Sequence, residues 1–130
     1  MKEEKTFNLE LFFAALADRT RLRLLNLMRD GEVCVCFFAE TLETNNPKIS
    51  RHLAYLKRAG LVAGRREGKW MHYRIIEPKN KQAKEVFKLI MEMFKNDKEM
   101  QSDREQLKTV CCAPSQVPVK IQNSIRQKSR

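Results

Sequence analysis

The chain has four cysteines in two close pairs, Cys34-Val35-Cys36 and Cys111-Cys112. Two thiols separated by one residue lie on the same side of an extended backbone, whereas inside an α-helix they diverge by about 200°. Cys34 and Cys36 can therefore chelate one ion only if their segment is extended or is just entering a helix. A helix N-terminus would also favour the thiolate form that coordinates metal. A lone cysteine is ordinarily a small buried hydrophobe, but a vicinal pair in a chain with only four cysteines argues for chemistry. Thiolates select soft or borderline ions and disfavour oxygen-seeking ions such as magnesium. The same thiols could instead sense oxidants by forming a disulfide.

The N-terminus, MKEEKTFNLE, is acidic and polar where a signal peptide needs a basic and then an apolar stretch. No apolar run approaches the roughly 18–20 residues of a membrane span. The expectation is a cytoplasmic protein with reduced cysteines and no membrane partner.

The elements that must position these thiols belong to one domain. The chain has 130 residues, 42% of them hydrophobic, enough for one modest core. Residues 1–112 are expected to form that domain. Residues 113–130, with two prolines and no sustained period, read as a flexible basic tail. From Asn8 to Met28 two apolar stripes are separated by Asp18, a candidate N-cap, so two helices are expected before the Asp30-Gly31 turn. Glu32–Cys36 is β-prone and leads into a short helix, Phe37–Leu42. Asn46 and Pro47 then open a helix to about Ala59, with Ile49, Leu53 and Leu56 on its buried side. Gly60 stops it. Leu61–Arg66 and Lys69–Ile76 form a hairpin, and Lys81–Phe94 is a helix with a wide apolar face. Ser102-Asp103-Arg104-Glu105 matches a capping box before a last helix of about Asp103–Cys112.

The net charge of +10 makes an extended acidic partner plausible. Its distribution says more: residues 1–43 carry −2, residues 44–76 carry +7 and residues 77–130 carry +5. A basic face on one helix alone is usually just solvated. Here it is joined to a basic hairpin, and the order of short helix, turn, capped helix and hairpin is a winged helix-turn-helix pattern. A helix fits the DNA major groove and a β-ribbon can lie along the adjacent backbone. The fold class expected is mainly α with a two-stranded β-hairpin wing, and the partner double-stranded DNA. Lys48, Ser50, Arg51 and Tyr55 are candidates for base or nearby phosphate contacts, and Arg65, Arg66 and Lys69 for neutralising phosphates. His52, beside the buried stripe, is as consistent with a structural role as with a functional one. There is no paired-carboxylate, nucleophile-plus-base or glycine-rich phosphate motif, so no enzyme is expected.

Four stretches carry a resemblance: Ala14–Leu25, Glu32–Cys36, Pro47–Val62 and Arg66–Tyr73. Over about residues 8–95 the chain resembles the ArsR/SmtB metal-responsive repressors. The resemblance implies a homodimeric winged-helix repressor, joined through its first and last long helices, that leaves its operator when it binds a thiophilic ion. In the arsenic-sensing branch another cysteine follows the Cys-Val-Cys motif by three residues. That position is Ala39 here, so Cys34 and Cys36 are one ligand short, and Cys111 or Cys112 is the remaining cysteine source. The branch with a zinc site of Asp and His on the last interface helix does not fit, since the histidines are His52 and His72.

Three ligand readings follow. Arsenite or antimonite could be held by Cys34, Cys36 and one C-terminal cysteine. A methylated arsenical needs two sulfurs and could use either pair, while cadmium, lead or zinc could take all four. Trivalent arsenic as inducer is the first expectation, with no catalytic cofactor. The alternatives are a redox or Cd/Pb/Zn sensor of the same fold, or an architectural DNA-binding protein whose cysteines are inert.

Overall fold

Side-chain caps set where the helices begin in the computed structural model, which describes residues 7–111. Asn8 accepts a hydrogen bond from the Leu11 amide at the start of α1 (Leu9–Leu16), and Asp18 accepts from the Arg21 amide at the start of α2 (Arg19–Leu27). Gly31 then turns the chain at φ +143° into β1 (Val33–Cys34), followed at once by α3 (Val35–Leu42). Glu43 in the left-handed region bends the chain toward α4 (Asn46–Arg58). The cap of α4 is Asn45 rather than the expected Asn46, because the extended Asn45 places its Oδ1 2.9 Å from the Lys48 amide.

The wing consists of β2 (Val62–Glu67) and β3 (Trp70–Ile75), paired antiparallel around Gly68 at φ +66°. β1 adds to it as a short third strand, giving the order β1-β3-β2, with Val33 opposite Tyr73 and Cys34 opposite His72. α5 (Lys81–Met93), a 3-10 turn (Phe94–Asn96) and α6 (Lys98–Cys111) follow.

Two helices start earlier than expected. α3 begins at Val35 rather than Phe37, directly after the strand, with Cys34 as its N-cap. α6 begins at Lys98 rather than Asp103, because Asp97 already accepts from the Met100 amide at 3.1 Å. Asp103, expected to sit in a capping box, is instead buried inside the helix, where both its oxygens accept from Arg23 of α2 at 2.8 and 2.9 Å.

The core is built from Phe12, Leu24, Leu25, Met28, Phe38 and Leu61, with the α4 stripe of Ile49, Leu53 and Leu56 fully buried as the spacing predicts. α6 lies on α2 and α3, and Asn26 of α2 donates to the Met100 carbonyl across that contact. Leu9 and Phe13 of α1 and Leu89 and Met93 of α5 stay exposed, beside a groove of about 530 Å³ between these helices. Among the described residues no helix is long and apolar enough to cross a membrane. Cys112 and the expected basic tail, 113–130, lie outside the described residues.

Candidate nucleic-acid interface and thiol site

α4 buries one stripe and presents the opposite face: Lys48, Ser50 and Arg51 are exposed near its N-terminal end. Tyr55, one turn further on, is half-buried. Its ring is bracketed by two guanidinium groups, Arg21 at 4.1 Å and Arg58 at 4.8 Å from the centroid.

Arg21 was not legible as part of this site. It sits on α2, donates to the carbonyls of Ala15 (2.8 Å) and Ala14 (2.9 Å) at the end of α1, and lies 3.2 Å from His52 Nδ1 on α4. One side chain thus ties the α1 end to the helix that presents the basic face. His52 has a structural place in that tie. Burial pushes its pKa down, the Asp18 carboxylate 3.9 Å away opposes this, and Arg21, Lys48 and Arg51 lower it further.

On the wing, Arg65, Arg66 and Lys69 are all exposed. Arg65 and Arg66 are neighbours on one strand and therefore face opposite sides of the sheet. Arg65 binds both oxygens of Glu32, at 2.6 and 3.0 Å, with Glu67 at 3.3 Å. The Arg65 guanidinium holds the Glu32 carboxyl below its usual range. Glu32 lies two residues ahead of Cys34, so this pair links the wing to the thiol segment.

Cys34 ends β1 and caps α3, and Cys36 stands in the first turn, so the segment is at the extended-to-helical transition that chelation requires. The two sulfurs are 3.3 Å apart. Cys34 is buried and Cys36 half-buried. The Cys36 thiol's hydrogen bond is the largest influence drawing the Cys34 pKa down to about 6, against burial, with help from the Cys36 and Val35 amides and from His72. His72 owes its place to the β1–β3 register, a contact between residues 38 positions apart that no local pattern announces.

Ala39 stands one turn along α3 from Cys36. Cys111 is the last residue of α6. Among the described residues no group of three or more His, Cys, Asp or Glu side chains is arranged to hold a metal ion.

Comparisons with known proteins agree with this architecture. Residues 18–63 match the family model "Bacterial regulatory protein, arsR family". The chain is 50% identical over 66 residues to the arsenic resistance transcriptional regulator ArsR1 of Pseudomonas putida, covering 50% of this chain and 52% of that protein. It is 50% identical over 64 residues to the arsenical resistance operon repressor of Escherichia coli, covering 48% and 55%. The chain therefore spans about half the length of these relatives, and other matches are named for cadmium and mercury resistance. Among solved structures, the homodimeric winged helix-turn-helix DNA-binding domain of a possible ArsR-family regulator from Mycobacterium bovis superposes with a TM-score of 0.55. It is 33% identical and matched over 65% of this chain and 76% of that one. With a winged helix-turn-helix fold and this sequence kinship, the chain belongs to the arsR family of bacterial regulatory proteins.

Proposed function

We propose that the chain is a homodimeric, DNA-binding transcriptional repressor that releases its operator when trivalent arsenic is bound by cysteine thiolates. The observation that carries this reading is the Cys34–Cys36 pair, sulfurs 3.3 Å apart, at the start of α3 and one helix ahead of α4. With sulfur bonds of about 2.3 Å, as zinc makes, that separation subtends roughly 90°. One soft ion can therefore bridge both sulfurs, and the relatives named for arsenic resistance favour trivalent arsenic as that ion. A methylated arsenical could be held by the pair alone, and an ion ligated by all four thiols is the second reading, favoured by relatives named for cadmium and mercury resistance.

The family relationship and the exposed face of α4 support DNA as partner, with Lys48, Ser50, Arg51 and Tyr55 toward the bases and Arg66 and Lys69 toward phosphates. Arg65 joins them when it exchanges Glu32 for phosphate, since an exposed ion pair is worth only about 0–1 kcal/mol. The apolar faces of α1 and α5 supply the dimer contact. Ligation at the start of α3 displaces the helix-turn-helix it begins, directly and through Glu32 and Arg65, so the paired α4 helices no longer match successive major grooves. The test compares arsenite, methylarsenite, antimonite, cadmium and zinc for release of the reduced protein from its own promoter DNA. Release by the trivalent arsenicals ahead of cadmium and zinc is expected; release by zinc or cadmium alone would replace the arsenic reading.

A further inference from the structure

A cleft of about 800 Å³ lies between the end of α2 with the turn after it, β3 and α5. That volume is within the range of small-molecule sites. Met28 and Phe87, both buried, and the half-buried Ile75 and Met91 give the cleft an apolar wall. Charged groups of both signs surround this wall, and how they pair decides what the cleft can hold. Each acidic group has its own cation: Asp30 pairs with Arg104, Glu32 with Arg65, Glu77 with Lys84 and Glu92 with Lys95. Arg29, Arg74 and Lys88 also line the cleft and have no ion-pair partner among the described residues. Arg29 is the least satisfied of the three. It donates to the Met91 carbonyl of α5, while its Nε is buried without a hydrogen-bond partner. Burial lowers its pKa, the Arg104 charge adds to this, and Asp30 and Glu92 oppose it. A half-buried guanidinium with no counter-charge gains from an anion placed beside it.

We propose that this cleft binds a small organic anion, a carboxylate set against Arg29, Arg74 and Lys88 and joined to an apolar body that covers Met28, Ile75, Phe87 and Met91. A guanidinium fork matches the two oxygens of a carboxylate. The apolar wall separates such a ligand from inorganic phosphate, which has no apolar surface to bury there. With their own cations in place, the four acidic side chains oppose the anion weakly. The site is distinct from the thiol pair and does not rest on the arsenic reading. It is also distinct from the groove between α1 and α5, which is lined by Phe13, Leu22 and Ile90 among others. It borders the thiol segment all the same, since Gly31 and Glu32 line the cleft and lead into Cys34.

The test uses the full chain, reduced and free of DNA, with octanoate as the probe and octanamide and inorganic phosphate as controls. Calorimetry gives the affinities, and amide NMR shifts give the place. Octanoate should bind with shifts centred on Gly31, Ile75 and Met91, and the neutral amide and phosphate should each bind at least about tenfold more weakly. Arg29→Gln, which keeps a donor for the Met91 carbonyl, should weaken octanoate on the order of tenfold and leave octanamide unchanged. Because Arg29 also ties α2 to α5, a second variant, Arg74→Gln/Lys88→Gln, makes the same comparison at two exposed positions. It should weaken octanoate severalfold with no change in Tm. The proposal is overturned by any of four results: no saturable octanoate binding, equal binding of octanamide, phosphate bound as tightly as octanoate, or shifts centred on Phe13, Leu22 and Ile90. Unchanged octanoate affinity in both variants would overturn it as well.

Discussion

Arg21 offers the sharpest check on how the basic face is built. Its guanidinium donates to two carbonyls at the end of α1, meets His52 and stacks on Tyr55. A hydrogen bond from a charged donor contributes about 1.5–3 kcal/mol. Arg21 is only half-buried, so the lower end applies, and the two carbonyl bonds give about 3 kcal/mol. The Tyr55 contact adds about 0.5–1 kcal/mol. Water recovers some of this in the variant, leaving about 3 kcal/mol for Arg21→Ala, or a fall in Tm of roughly 12 °C at fixed protein concentration. Arg21→Lys should lose about half as much, because an ammonium cannot fork between two carbonyls and stack on a ring. Thermal unfolding measures the loss. A salt titration of binding to generic duplex DNA separates the mechanism: a residue working inside the protein leaves the slope of log K against log salt unchanged, whereas a phosphate contact lowers its magnitude by about 0.9. An Arg21→Ala protein as stable as the wild type, or one whose slope falls by that amount, would refute the reasoning.

Alanine at Lys48, Arg51, Arg66 or Lys69 should each lower the salt slope by about 0.9 with little change in Tm, read in the same titration. Because burial holds the His52 pKa below its ordinary 6.5, the unfolded chain takes up a proton first as pH falls; stability should therefore decline below about pH 6.5, and His52→Asn should flatten that decline in urea titrations. Alkylation of Cys34 by iodoacetamide, followed by peptide mass spectrometry, should rise with pH around a midpoint near 6 rather than the ordinary 9.0. Cys36→Ala should move that midpoint upward, since the Cys36 thiol's hydrogen bond is the largest cause of the shift and alanine has no donor to replace it.

Local signals located most of the fold. Asp18 capped its helix, the stripe of Ile49, Leu53 and Leu56 gave the buried side of α4, and the hairpin fell within a residue of where glycine and alternation put it. The differences arose where tertiary contacts overrode local ones. Asp103 has the sequence context of a cap, yet Arg23, 80 positions earlier, claims it, and Asp97 caps α6 instead. Cys34 and Cys36 were legible as a pair of thiols on one side of the chain because their spacing brings the sulfurs together at a strand–helix junction. The surroundings of that pair were not legible: His72 arrives through strand register and Glu32–Arg65 through an ion pair across the sheet. Arg65 and Arg66 look equivalent in the sequence, and the pleat separates them. Arg21 reads as one of many surface charges until α1 and α4 are brought to either side of it.

In the proposed function, thiolate ligation at the start of α3 governs DNA affinity. The most direct measurement is the affinity of the reduced dimer for its own promoter DNA, with and without arsenite, in the wild type and in a Cys34→Ser/Cys36→Ser variant. A coupling of about 1–3 kcal/mol predicts that arsenite weakens wild-type binding about five- to 150-fold and leaves the variant unchanged. Equal weakening of both proteins, or a wild type that ignores arsenite, would contradict the account.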